Sequence, residues 1–389
     1  MSKNIIFVAY TQFPYCGGGR EKIFSEMLSR MRHYDVTFIK VKLKNDDQMK
    51  PVYDVPDNVN FISLKTLQSL SNNRYINSIQ WSPVIRNYTF RHNMEKFQRE
   101  ANNILRKMSD GSAIGWHLGI ETLAMDGSNL YKIARLSGNW SLEVYNDLTM
   151  LKGWALEKEE KSISIPDKIV VSSTAQAKEK HLNNFTVVHS GLDQRFQPLD
   201  GTEMRKKIQT EFRFDIRDDD FVICQVGSLR RLKGHRYLLE AISKIPEGIK
   251  EKIKIIIIGK GDTRELERLA RNYKIKVLFT GWREDVEVFL NASNICANLS
   301  VSEGESLVVR EAFACGIPVL CTSVGVMSEE VGDAGYLVPF GDIPRIKGGI
   351  EYMMNNYESY KKLALGKSQE VRSKYSWDTM VQQFEKLWM

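Results

Sequence analysis

Residues 295–322 read ICANLSVSEGESLVVREAFACGIPVLCT, and the order of the parts within them decides the fold. ICANLS is an apolar run of strand length, and PVLCT is another. Between them Ser306 is an acceptable N-cap for the helical run that follows, and Pro318 cannot continue that helix. Strand, loop, helix and strand in this order make a crossover between parallel strands.

The same stretch carries two carboxylates, Glu303 and Glu311, eight positions apart. On a single helix they would be separated by about 80° of rotation and about 12 Å of rise, too far to share a small ligand easily. With the helix starting near Ser306, Glu303 falls in the loop beyond the strand and Glu311 more than a turn inside the helix, so both can border one ligand at the junction. The amides of Leu307 and Val308 then lie at the positive end of the helix, which suits an anion. Carboxylates beside an anion site suit a ligand rich in hydroxyls, because they accept hydrogen bonds from sugar hydroxyls.

Working outward, the rhythm repeats. FVICQVGSL, KIKIIIIGKG, VLFTGW, ICANLS, PVLCT and GYLVP read as strands, with helices predicted at HRYLLEAISKI, TRELERLARNY, VEVFLNAS and near MSEEVG. Earlier, NIIFVAY is a strand followed by the glycine-rich TQFPYCGGG and the helical REKIFSEMLSRM. YDVTFIKV, VNFISL, GSAIGWH, KIARLSG, DKIVVSS and FTVVHSG supply further strands. The fold class is α/β, two Rossmann-like doubly wound domains in tandem, with a ligand cleft expected where the carboxyl ends of their strands face each other. The polar stretch SGLDQRFQPLDGTEMRKKI reads as the linker. The expected domains are 1–198 and 199–367, with an amphipathic C-terminal helix at about 368–389 returning to the first.

A chain of 389 residues suits two domains. Its net charge of +7 favours anionic ligands without the dense basicity of a nucleic-acid coat, so no nucleic-acid partner is expected. Cys16, Cys224, Cys296, Cys315 and Cys321 form no CxxC pair and read as buried thiols in a reducing compartment. The first ten residues lack a signal-peptide core, and no run is long enough to span a membrane, so a cytoplasmic protein is expected. The basic, aromatic-interleaved segment 86–108 reads as a solvated helix, with peripheral contact at the inner membrane face as the alternative. Asp218–Asp220 precede a strand at its amino end, so no metal site is expected there.

SEGESLVVREAFACGIPVLCTSVG resembles the E-x7-E signature of the family 4 retaining glycosyltransferases, which have the GT-B fold. QVGSLRRLKGHRYLLEAI resembles their donor-phosphate loop, and VVHSGLDQRFQPL the stretch closing their first domain. QFPYCGGGREKIFSEML resembles their N-terminal glycine loop, and GYLVPFGD their late strand. The matches run in family order from residue 5 to about 342.

The resemblance implies transfer of a sugar from a nucleotide-sugar donor to a glycan or lipid-linked acceptor, with retention and without a metal or other cofactor. It implies that Glu311 binds the ribose hydroxyls, that Glu303 holds the donor sugar, and that the Leu307 and Val308 amides touch the diphosphate. Lys233 would neutralise that diphosphate, and Gly18 and Gly19 would let backbone approach it. His117 falls where many members place an active-site histidine, so Glu303 and His117 are the catalytic candidates.

Two departures stand out. The family's arginine after the phosphate-loop glycine is Ser228 here, leaving its task to Arg230 or Arg231, with Arg230 preferred. The usual EGFG is EGES, and an added carboxylate at Glu305 would repel a diphosphate unless paired or turned away. Trp282 either lines a base pocket or packs. A nucleotide-sugar epimerase is the competing activity, since that chemistry shares the architecture. A binding module that keeps only the fold is disfavoured by the Glu303, Lys233 and Glu311 set.

Overall fold

The computed structural model describes residues 4–11, 13–15, 19–42, 49–65, 83–136 and 151–388. The chain divides into two compact units, residues 1–191 with 377–389 and residues 192–376. The changeovers fall at 191/192 and 376/377 rather than at 198/199 and 367/368. Leu192 and Phe196, read as linker, are buried in the core of the second unit, and the helix Tyr357–Lys374 also packs there.

The first unit holds a parallel sheet of seven strands: β1 (Asn4–Val8), β2 (Asp35–Val41), β3 (Val59–Leu64), β4 (Ser112–Gly115), β5 (Tyr131–Leu136), β6 (Lys168–Val171) and β7 (Thr186–Val187). Their order is β3-β2-β1-β4-β5-β6-β7. Alternation along the strands sends Ile6, Val8, Ile39 and Ala113 to one core. On the other face Phe7, Phe24, Phe38 and Trp116 interlock, with the Phe24 and Phe38 rings 5.0 Å apart edge to face.

The second unit holds six parallel strands: β8 (Phe221–Val226), β9 (Ile253–Ile258), β10 (Lys276–Gly281), β11 (Ile295–Asn298), β12 (Val319–Thr322) and β13 (Gly335–Val338), ordered β10-β9-β8-β11-β12-β13. Ile253–Ile258 is buried throughout, as a strand covered on both faces must be. Ile256 and Ile258 enter one core while Ile253, Ile255 and Ile257 enter the other. The strand order reverses between β1 and β4 in one unit and between β8 and β11 in the other, which marks the place in each sheet where a doubly wound fold binds ligands.

The expected linker contains a helix, Gly201–Phe212. Asp200 caps it by accepting the Thr202 and Glu203 amides, and Met204 and Ile208, one turn apart, are buried. Of the predicted C-terminal helix, only Trp377–Glu385 belongs to the first unit. Its Trp377, Met380, Val381 and Phe384 are buried, and Asp378 pairs with Arg30 at 2.5 Å. No helix among the described residues is long and apolar enough to cross a membrane.

Candidate active site

In the second unit the site is built at the reversal point. The chain leaves β8, passes a 3-10 turn (Arg231–Lys233) and enters the helix His235–Ser243 through Gly234. Gly234 has φ +71°, and a Cβ there would stand 2.0 Å from the Leu299 carbonyl oxygen. The loop after β8 is thereby pressed against the loop after β11, where the Val301 amide also donates to Leu232 O at 2.9 Å. Gln225, at the end of β8, donates from Nε2 to Lys233 O at 2.7 Å and fixes the backbone under the lysine.

Lys233 Nζ then reaches Glu303 Oε1 at 2.8 Å, with the two side chains 27% and 10% exposed. Asn298, the last residue of β11, organises the rest. Its Nδ2 donates to Ser306 Oγ at 2.7 Å and to Glu303 Oε1 at 3.4 Å, while its Oδ1 accepts from Ser300 Oγ at 2.8 Å. Ser306 is the N-cap of the helix Leu307–Ala314 and accepts the Val309 amide. The Leu307 and Val308 amides sit in the first turn, where a helix offers them no carbonyl partner. Glu311, on the next turn, is buried.

The Glu305 side chain is buried and engaged elsewhere. It pairs with Arg310, which also pairs with Glu330 and stacks its guanidinium 4.1 Å from the centre of the Tyr375 ring. Burial pushes the Glu330 carboxyl up, against the pull of Arg310. Arg230 and Arg231 stand exposed at the start of the 3-10 turn.

His235 is buried, and its Nε2 lies 3.2 Å from Ser228 O. Burial lowers its pKa to about 4, which favours the neutral ring. Asp220 is the partner of Lys254 at 2.6 Å, and Asp219 that of Lys252 at 3.3 Å. Trp282 lies under Lys260, whose Nζ is 5.2 Å from the ring centre. Cys224, Cys296, Cys315 and Cys321 are buried free thiols, all pushed up by burial.

In the first unit Gly19 opens the helix Gly19–Arg30, while Gly18 and Cys16 lie outside the described residues. His117 follows β4 and is buried, and its carbonyl oxygen accepts from Thr122 Oγ1 at 2.6 Å. Arg20 Nη1 lies 3.3 Å from His117 Nε2. Burial, then the nearby Arg20 and Arg135, lowers the histidine to about 3. Glu121 ties the carboxyl ends of β1 and β4 together: Oε1 accepts the Tyr10 amide at 2.6 Å and Oε2 the Trp116 amide at 3.0 Å. Burial raises this carboxyl to about 7 even though Arg20 and the amides oppose it. Among the described residues no group of three or more His, Cys, Asp or Glu is placed to hold a metal ion.

Residues 206–367 match the family model of the glycosyl transferases group 1. That stretch lies wholly within the second unit and contains Lys233, Glu303 and Glu311. The N-acetyl-alpha-D-glucosaminyl L-malate synthase of Bacillus anthracis is 25% identical over 207 residues, covering 52% of each chain. The chain thus spans about half the length of such curated relatives. Among solved structures, sucrose-phosphate synthase from Thermosynechococcus elongatus superposes with a TM-score of 0.77 at 18% identity, over 99% of this chain and 98% of that one. Anabaena HepE, solved with UDP and glucose, gives 0.69 at 15% identity over 99% of each. The two doubly wound units are those of the GT-B fold.

Sequence reasoning did not single out Asn298, Arg310, Arg20 or Glu121, which the structure brings into contact with the candidate residues or their loops. Asn298 leaves a weak signal, an amide closing an otherwise apolar strand. Arg20 directly follows the glycine loop, but its partner His117 is 97 positions away.

Proposed function

We propose that the protein is a retaining, metal-independent glycosyltransferase of family 4 type, moving a sugar from a nucleotide-diphosphate-sugar to a glycan or lipid-linked acceptor. One observation carries this reading: Lys233 and Glu303 meet at 2.8 Å beside the first turn of the helix that bears Glu311. A cation and a helix start are what a departing diphosphate needs as its charge develops. Glu303 and Glu311 supply acceptors for the hydroxyls of the two sugar rings that flank it.

In the proposed reaction the bond between the anomeric carbon and the diphosphate oxygen breaks, and an acceptor hydroxyl bonds to the same face. Its proton passes to the departing phosphate oxygen, the base that same-face attack brings nearest. Arg230 or Arg231 adds positive charge, Arg230 being preferred. The first unit is assigned the acceptor, with His117 following β4, while Gly18 and Gly19 stay candidates for the donor diphosphate.

Group 1 glycosyl transferases as the matching model, and compared proteins named as synthases, support transfer over epimerisation. HepE was solved with UDP and glucose, which supports a uridine donor as the first to test. The helix Pro83–Leu105 pairs Arg91 with Glu95 and Lys96 with Glu100 along its surface, which favours the solvated reading over a membrane contact.

The test is a binding and hydrolysis screen of UDP-, GDP- and ADP-sugars. Glu311→Gln should weaken both the free nucleoside diphosphate and its sugar conjugate, whereas Glu303→Gln should weaken the conjugate alone. Failure of all three nucleotide classes to bind would refute the reading.

A further inference from the structure

Asn298 stands where the strand pattern calls for an apolar side chain. It closes β11, whose other side chains, Ile295, Cys296 and Ala297, are wholly buried, and it is itself buried. Asparagine is disfavoured in strands, and a buried amide costs stability unless its hydrogen-bonding groups find partners. Here both lone pairs and both hydrogens are taken. Oδ1 accepts the Ser300 amide at 3.3 Å and Ser300 Oγ at 2.8 Å. Nδ2 gives one hydrogen to Ser306 Oγ at 2.7 Å and the other to Glu303 Oε1 at 3.4 Å. A buried polar group satisfied in this way confers rigidity and direction.

The backbone around this amide is already fixed. Thr322 Oγ1, on β12, donates to Ser300 O at 2.6 Å, and the Val301 amide donates to Leu232 O at 2.9 Å in the loop after β8. At Gly325 a Cβ would stand 1.8 Å from the Glu303 carbonyl oxygen, so the main chain of the glutamate is backed as well. What remains to be set is the Glu303 side chain, and two donors settle it. Lys233 Nζ, at 2.8 Å, and Asn298 Nδ2 both approach Oε1. Among the described residues Oε2 takes no donor, and the side chain keeps 10% of its surface exposed. A lysine alone could hold either oxygen, because an ammonium is a point charge on a flexible stem. The planar amide, tied through its other hydrogen to the helix cap and through its oxygen to Ser300, has one orientation to offer.

We propose that Asn298 is a positioning residue of the donor site: it ties Glu303 by Oε1 to the cap of the helix Leu307–Ala314, so that Oε2 is the oxygen presented to a donor-sugar hydroxyl. One side chain then sets the spacing between the carboxylate assigned to the sugar and the helix start assigned to the diphosphate. This deepens the transferase reading and rests on it for the presence of the donor.

Calorimetry on the full chain with UDP-, GDP- and ADP-glucose, each beside its free nucleoside diphosphate, tests this. The readout is the affinity ratio of conjugate to free diphosphate for the donor that binds. Asn298→Leu keeps a similar shape and removes both polar groups. The ratio should fall about 3- to 10-fold, as expected for one lost hydrogen bond. Ser300→Ala, which leaves the amide in place without its hydroxyl brace, should lower the ratio by less, and it decides the matter alone if Asn298→Leu does not fold. In a Glu303→Ala background neither substitution should lower the ratio further, since the amide acts through that carboxylate. A merely structural loss would weaken both ligands equally. An unchanged ratio in the single variants, or an additive fall in the double variants, overturns the positioning role and leaves the transferase reading standing. Wild-type protein that binds none of the three sugars overturns both.

Discussion

Removing the Arg310 guanidinium tests how the second unit tolerates the added carboxylate of EGES. Arg310 is 2% exposed in its side chain, Glu305 4% and Glu330 10%, so Arg310→Met leaves two acids facing each other in a water-poor pocket. Stripping the cation from a buried ion pair costs about 3–5 kcal/mol. The unit spans residues 192–376, and in units of that size each kcal/mol moves the midpoint by about 2–4 °C. Thermal denaturation at pH 8 should therefore show a loss of roughly 6–20 °C. The loss should shrink at pH 5. With the arginine gone the Glu330 carboxyl, already raised by burial, rises further, the folded state binds protons more tightly than the unfolded, and stability then falls as pH rises. Adding Glu305→Gln to Arg310→Met should recover part of the loss, because one of the uncompensated charges has been removed. A single-variant cost below about 1 kcal/mol, unchanged between the two pH values, would refute the claim that Arg310 neutralises this pocket.

Lys233→Ala should weaken binding of the free nucleoside diphosphate by about 1–3 kcal/mol, roughly 5- to 150-fold by calorimetry. The low end is expected, because the ammonium also holds Glu303 at 2.8 Å and must share itself on binding. Gly325→Ala should cost donor-sugar binding more than nucleotide binding. At φ +52° its new Cβ would stand 1.8 Å from the Glu303 carbonyl oxygen, so equal loss for UDP and UDP-glucose would count against it. Glu121→Gln should flatten a pH dependence of the first unit. Its folded pKa of about 7 exceeds 4.5, so this group's stabilisation is fully present below pH 4.5 and fades by about 3 kcal/mol as pH rises to 7. Glutamine mimics the neutral carboxyl, so the variant should gain on the wild type between pH 5 and pH 8, and a wild-type-minus-variant midpoint difference equal at both pH values would sink the assignment.

The strands were legible because a parallel sheet covered on both faces demands unbroken apolar runs, and IKIIII or FVIC can be read as little else. The helix Gly201–Phe212 was hidden by its polar face. Its signal lay in Asp200 as a cap and in Met204, Ile208 and Phe212 at one-turn spacing, three large apolar residues among twelve. Lys233, Glu303 and the Ser306 cap were legible for a different reason: each lies in the connection between a strand and the next helix, and the apolar pattern had already fixed those strands. What composition could not show was pairing. EGES announces an unwelcome charge at Glu305, yet the guanidinium that answers it lies five positions on, a separation that puts neither residue on a shared helical face, because Glu305 precedes the helix. Arg20 and His117 meet only because the sheet places β1 beside β4, in register from Ile5 with Ser112 to Val8 with Gly115. In both units the candidate residues gather where the strand order reverses. There the two central strands send their loops apart and leave a notch that neighbouring side chains must line. Topology fixes the place of the notch, and the charges that answer one another within it come from residues distant in sequence.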